Sequence, residues 1–291
     1  MATDADDKIG NYKYIRILHQ GQNSTVMEVA QDGTGKHFVL KQLLPTKAGE
    51  PAERKIFEFE AKLGQELRHP NMIKVHEYIK DRKQPYFVMD YFPSSTHLRL
   101  FVGKPAQFEW VRPKLHWIIE QSGQALAYMH DKGWVHRDLK PENLIINKVG
   151  ETRLIDYALA MKPVTGLGKL FAKKPPRSGT HSYMSPEQIL RLPVQPASDI
   201  YSFGTTCYEL ACGRQPFRAN STTELLNKHI KDTPSPPTVH NKNITPEFSD
   251  LVMKMLKKKP KDRLPSIRDF LAQFSRVRIY KDDPPPAPPR Y

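Results

Sequence analysis

Six residues able to do polar chemistry fall within twenty-one positions: His136, Arg137, Asp138, Lys140, Asn143 and Asp156. They alternate with Val135, Leu144, Ile145, Ile146, Leu154 and Ile155, an interleaving that solvated loops do not show. The apolar positions predict short strands anchored in a core, which hold the charged groups at its edge. Two carboxylates, an amide and an ammonium gathered there suit a metal-bound polyphosphate and a hydroxyl nucleophile.

The run His136-Arg-Asp-Leu-Lys-Pro-Glu-Asn143, followed thirteen residues later by Asp156, resembles the catalytic loop and metal-binding Asp of the protein kinases. A Lys two residues after the first Asp resembles the Ser/Thr kinases more than the Tyr kinases. The resemblance implies an α+β, two-lobed fold: a small antiparallel-sheet N-lobe with one regulatory helix, and a larger, mainly helical C-lobe. It implies that Asp138 accepts or orients the substrate hydroxyl proton and that Lys140 neutralises the transferring γ-phosphoryl. Asn143 and Asp156 would give oxygen ligands to Mg²⁺, with Mn²⁺ as the alternative ion, and Ile145 would lie under the adenine of ATP.

The elements that must position these groups can be read in both directions from the loop. Upstream, residues 12–44 predict three strands, around Tyr14–Leu18, Val26–Ala30 and His37–Leu43, with a turn at Asp32-Gly-Thr-Gly35. The turn His19-Gln-Gly-Gln-Asn-Ser24-Thr-Val26 stands where a kinase glycine-rich loop would be. Of its three glycines only Gly21 is present, which implies a differently shaped phosphate cover. Lys41, closing Phe38-Val39-Leu40-Lys41, is by itself an ordinary edge charge. A partner exists in a helix predicted over 53–67, where Phe59, Leu63 and Leu67 follow helical spacing and Glu60 stands ten residues before Pro70. The resemblance implies that Lys41 holds the α- and β-phosphates, that Glu60 orients it, and that Val39 faces the adenine. Further strands are predicted over 72–78 and 86–91. Met89-Asp90-Tyr91-Phe92 resembles the kinase hinge, with Met89 as gatekeeper. The implied lobes are 12–92 and 93–278.

Downstream, Leu115, Ile118, Ile119, Ser122, Leu126 and Met129 predict a core-facing helix over 113–130. Asp156-Tyr157-Ala158 stands where the kinases have Asp-Phe-Gly; Ala restricts the backbone there more than Gly would. Residues 157–187 resemble an activation segment ending Gly179-Thr180 and Ser185-Pro-Glu187, with Thr165 and Ser178 as candidate phosphate acceptors beside Arg137. Asp199 would bond the catalytic-loop backbone, and Arg263 would pair with Glu187. Helices are predicted from 198 to about 213, over 246–257 and over 266–275. The region 229–237 looks most like bacterial Ser/Thr kinases of eukaryotic (Hanks) type. The last segment, 279–291, reads as a proline-rich tail whose Pro285-x-x-Pro288-x-Arg290 has the form of an SH3-type ligand; a solubilised end is the plainer reading.

Composition sets outer bounds. Hydrophobic residues are 38% and charged residues 26% of 291, a globular balance. The acidic start lacks the apolar run of a signal peptide, and no stretch reaches the roughly 20 apolar residues of a membrane span. Two cysteines, Cys207 and Cys212, are too few for a disulfide framework. A cytoplasmic protein is the expectation. The net charge of +14 suits acidic protein substrates; no base-stacking motif accompanies it, so no nucleic-acid partner is expected.

These readings converge on an ATP-dependent kinase acting on Ser/Thr hydroxyls of proteins, able to phosphorylate itself. A small-molecule phosphotransferase would not need Ser185-Pro-Glu187 or Asp199-Ile-Tyr-Ser-Phe-Gly204, which resemble a protein-substrate platform. A pseudokinase scaffold that binds nucleotide without efficient transfer would fit the altered glycine turn and Tyr157-Ala158, but not the set Lys41, Glu60, Asp138, Asn143 and Asp156.

Overall fold

A computed structural model describes residues 8–163 and 178–284. The chain divides into two compact units, one running to Ser94 and including Asp156–Ala158, the other holding the remainder from Ser95.

The first unit is an antiparallel sheet of six strands: β1 (Lys8–Ile9), β2 (Tyr12–Gln20), β3 (Ser24–Gln31), β4 (His37–Leu43), β5 (Val75–Ile79) and β6 (Tyr86–Asp90), in the order β1-β2-β3-β4-β6-β5. Alternation along β4 sends Phe38 and Leu40 to one face, where they pack with Met27, Val29 and Val88. The opposite face receives α2 (Pro51–Glu66), which follows the short α1 (Pro45–Ala48) and buries Phe57 and Ala61 against Val75 and Phe87. Lys41 pairs with Phe87 in register, so its side chain belongs to the α2 face. Gly64 allows the close approach of α2 to β5: a Cβ there would sit 2.4 Å from Val75 Cγ2.

One sequence expectation changes here, and one strand is irregular. The strand predicted over 72–78 begins only at Val75, because Met72 N–H closes a turn on His69 O at 3.0 Å; Met72 and Ile73 are buried outside any strand. In β2 the register shifts twice, between Tyr14 and Arg16 and between Ile17 and His19, which breaks the two-residue alternation and leaves Ile15, Ile17 and Leu18 exposed.

In the second unit, β7 (Thr96–His97), β8 (Leu144–Ile146) and β9 (Thr152–Leu154) form a small antiparallel sheet. Its helices are α3 (Pro105–Val111), α4 (Leu115–Asp131), α5 (Pro186–Ile189), α6 (Pro196–Cys212), α7 (Thr222–Lys231), α8 (Pro237–His240), α9 (Pro246–Met255) and α10 (Ile267–Phe274). The predicted stripe from Leu115 to Met129 is wholly buried on α4. Helix α6 opens at Pro196, two residues earlier than predicted, and ends at Gly213, whose φ of 68° supplies the left-handed cap. It is buried on every side from Ser198 to Ala211, as a central helix must be. Its two buried threonines bond within the helix, Thr205 donating to Tyr201 O at 3.1 Å and Thr206 to Ser202 O at 3.0 Å, while Ser202 reaches out to Tyr183 O at 2.7 Å.

Helix α7 was not anticipated, although Ser221 with Glu224 three residues on carries the N-cap pattern; the Ser221 hydroxyl accepts from Glu224 N–H at 3.2 Å. Ile279 and Tyr280, at the start of the expected tail, are buried, and Tyr280 OH donates to Ala211 O at 3.1 Å. The SH3-type motif at 285–290 lies outside the described residues. No helix among the described residues is long and apolar enough to cross a membrane.

Candidate active site

In the first unit, Lys41 Nζ donates to both carboxylate oxygens of Glu60, at 2.7 and 2.8 Å, and lies 5.7 Å from the centre of the Phe87 ring. Strand β4 fixes one partner and the buried face of α2 the other. Burial works against the Lys41 charge, but Glu60 and Asp156 outweigh it and hold the ammonium above its ordinary value. Burial pushes the Glu60 carboxyl up to about 7, opposed by Lys41 and reinforced by Asp156. A carboxyl raised in the folded state contributes stability that is complete below its unfolded pKa and is lost as pH rises through about 7. The stability difference between the native chain and Glu60→Gln is therefore expected to shift against the native chain as pH rises from about 5 to about 8. Denaturant titrations across that range test this, and a pH-independent difference would refute the burial argument.

Asp156 has φ 67°, and its carboxylate accepts from Ala158 N–H at 3.2 Å. The left-handed residue of this segment is thus the Asp, and Ala158 is not strained by its Cβ. Tyr157 is buried, and its hydroxyl donates to Ile73 O at 3.3 Å, so the oxygen that distinguishes it from Phe is used to tie the segment to the loop before β5. Burial raises the Tyr157 phenol above its ordinary value.

The residues expected at a hinge and nucleotide pocket are placed as follows. Val26 and Val39 lie on β3 and β4; Val26 pairs with Lys41, and Val39 with Met89. Asp90 N–H donates to Lys74 O at 3.0 Å, and its carboxylate meets His76 Nε2 at 2.6 Å. Tyr91 follows the strand half-buried, and Phe92 is buried. Gly21 N–H donates to Ser24 O at 2.9 Å and closes the turn between β2 and β3. Ile145 is on β8 in the second unit, paired with His97 and Arg153.

The second unit brings the catalytic-loop residues together. Asp138 Oδ1 accepts from Thr180 N–H at 2.8 Å and from Thr180 Oγ1 at 2.9 Å; Oδ2 accepts from Lys140 Nζ at 2.6 Å. Lys140 also donates to Thr180 Oγ1 at 2.6 Å. Asn143 Nδ2 donates to Asp138 O at 2.8 Å, which commits its amide nitrogen and orients its carbonyl oxygen as the remaining donor atom for a cation. The adjacent Ile155 N–H donates to Asn143 O at 3.0 Å.

Behind the loop, Asp199 is fully buried and accepts from His136 N–H at 2.7 Å, Arg137 N–H at 2.8 Å and His130 Nε2 at 2.9 Å. Burial alone would raise this carboxyl, but its donors, His130 foremost, hold it below the usual range. Arg137 has φ 73°, a conformation that persists only where the surroundings dictate it. Asp199 supplies that force from one side. Gln188 Nε2, donating to Arg137 O at 2.8 Å, supplies it from the other.

Arg137 Nη2 donates to Ser178 Oγ at 2.7 Å; Thr165 lies outside the described residues. Glu187 and Arg263 form a doubly bonded, buried ion pair at 2.7 and 2.9 Å. Two groups escaped the sequence reading. Gln188 was visible as the last residue of a capping box with Ser185. The cluster of Tyr183, Glu209 and Arg99 joins residues more than a hundred positions apart and has no local signal.

A family model described as the protein kinase domain matches residues 12–273. The chain is 31% identical over 262 residues to a Streptomyces coelicolor protein named a probable serine/threonine-protein kinase, covering 88% of this chain and 38% of that one. It is 30% identical over 287 residues to serine/threonine-protein kinase PknA of Mycobacterium tuberculosis, covering 96% of this chain and 64% of that one. It is also 30% identical over 281 residues to serine/threonine-protein kinase PknB of Mycolicibacterium smegmatis, covering 95% and 44%. The chain thus spans less than two thirds of the length of each of these relatives. With the domain match running through both units, from the start of β2 into the last helix, the chain belongs to the protein kinase family.

Proposed function

We propose that this chain transfers the γ-phosphoryl group of ATP to serine and threonine hydroxyls of protein substrates. The observation that carries the proposal is the Asp138 carboxylate, held on both oxygens by Thr180 and Lys140 with Asn143 bonded to its backbone. A carboxylate so fixed can orient a substrate hydroxyl and receive its proton late in the transfer. The Lys140 ammonium beside it compensates charge developing on the phosphoryl oxygens. Lys41, locked by Glu60, is suited to the α- and β-phosphates, and the Gly21 turn to covering them. The hinge reading of Met89–Phe92 assigns the adenine edge to backbone groups of Asp90–Phe92 and the ring face to Val26, Val39 and Ile145. Asn143 and Asp156 offer hard oxygen donors, the chemistry that Mg²⁺ or Mn²⁺ takes. Such an ion, when bound, neutralises phosphate charge. Use of ATP points to the cytoplasm.

Ser178, already within hydrogen-bond reach of Arg137, is proposed as an acceptor of self-phosphorylation, which would exchange a hydrogen bond from a cation to a neutral hydroxyl for a cation–phosphate ion pair. Mass mapping after incubation with Mg-ATP is expected to find phosphate between 165 and 180; an unmodified segment rules this out. For the activity itself, labelled ATP is offered with a generic basic protein, and the acid-stable product is resolved into phosphoserine, phosphothreonine and phosphotyrosine. Incorporation no greater than with Asp138→Asn, with nucleotide binding retained, would overturn the enzyme reading in favour of a scaffold.

A further inference from the structure

The chain leaves α5 through a turn with an uncommon residue in it. Leu190 N–H donates to Pro186 O and Leu192 N–H to Glu187 O, both at 2.9 Å, with Arg191 between them at φ 57°. Helix ends of this shape ordinarily carry Gly at that point, because other side chains resist the left-handed region. The turn sets two large apolar side chains outward: Leu190 is 51% and Leu192 49% exposed. With Pro193, Val194, Ile230 and Pro260 they line a groove of about 800 Å³. Single exposed leucines call for no account, but a concave apolar wall stiffened by prolines does, and its volume is that of a ligand-sized site. The groove belongs wholly to the second unit and shares no residue with the catalytic loop.

Charge identifies the occupant. Lys258 and Lys259 line the groove as well. Lys258 Nζ is anchored on His229 O at 2.8 Å and lies 4.6 Å from the centre of the Phe217 ring, while Lys259 is exposed, as are its chain neighbours Lys257 and Lys261 and, between Leu190 and Leu192, Arg191. Against these cations stand the exposed Asp262 and Asp232, the latter acting on Lys258, so the balance stays positive. Glu187, the acidic residue of the lining, is buried against Arg263 and contributes no net negative charge. An apolar floor with a cationic rim, on a chain of net charge +14, is complementary to an anionic, partly apolar chain. We infer that this groove docks an acidic segment of a partner protein, whose apolar side chains enter between Leu190, Leu192 and Ile230 while its carboxylates face Lys259 and its neighbours. The inference goes beyond phosphoryl transfer and does not depend on it.

The test is selection from a displayed library of random peptides on the intact chain, followed by anisotropy titration of the enriched peptides. Enriched sequences are expected to place Asp or Glu around Leu, Ile or Phe. Their binding is expected to weaken at least about tenfold in Leu192→Glu and in Lys259→Glu, and to fall with added salt. Both positions are exposed, and unfolding midpoints matching the native chain serve as the folding control. Enrichment of basic or uncharged peptides overturns the inference. So does enrichment of none, or of acidic peptides whose affinity both variants leave unchanged.

Discussion

Asp138→Asn is expected to lower kcat by about 10²–10⁴-fold with little change in nucleotide affinity. The side chains are nearly the same size, so the loop keeps its packing. The chemistry does not survive. Both carboxylate oxygens of Asp138 accept hydrogen bonds, from Thr180 N–H on one side and Lys140 Nζ on the other. An amide has one acceptor oxygen, so one of these donors must face an N–H group. The variant also loses the negative charge that balances Lys140 and the group that receives the hydroxyl proton. Single-turnover transfer with saturating nucleotide reads the step directly, and equilibrium titration with a fluorescent nucleotide reads binding. A kcat within a few-fold of the native value would remove Asp138 from the chemistry.

The largest effect on stability is expected at Arg263. Arg263→Met should cost about 3–5 kcal/mol, because it leaves the Glu187 carboxylate buried without its partner. The loss extends beyond the pair. Arg263 also donates to Ala197 O at 2.6 Å, Lys257 O at 2.7 Å and Lys258 O at 2.9 Å, and its guanidinium lies 5.0 Å from the Tyr201 ring centre. It therefore joins α5, through Glu187, to the start of α6 and the loop after α9. The double variant Glu187→Leu with Arg263→Met should recover part of the loss, since an apolar pair strands no charge. Denaturant unfolding of the single and double variants measures both quantities. A cost under about 1 kcal/mol for the single variant would mean that water reaches Glu187.

Much of the site was legible because catalytic groups lie close together in the chain or follow a local period. His136 to Asp156 is one stretch, and Glu60 stands ten residues before Pro70, although the face that buries it runs through Phe57 and Ala61 and not through the expected Phe59. Element boundaries slipped where apolar residues are buried without being in strands, as at Met72 and Ile73, or where bulges break alternation, as in β2. The Tyr157 hydroxyl could not be read from the chain, because its acceptor, Ile73 O, is a backbone atom eighty-four residues away.

The sequence by itself determined the family and the reaction it implies, and it marked the polar residues proposed to carry that reaction, since these depend on residue type and short spacing. Only the tertiary structure decided who holds whom. Asp199, readable alone as a favourable charge at a helix start, becomes a buried acceptor for the backbone of His136 and Arg137, more than sixty residues away. Leu190 and Leu192, which no local pattern marks out, flank the left-handed Arg191, stand exposed and line a groove with Lys259. Local preference sets helix, strand and turn. Burial and the need to satisfy buried charge then choose partners among distant residues, and nothing in the spacing records that choice.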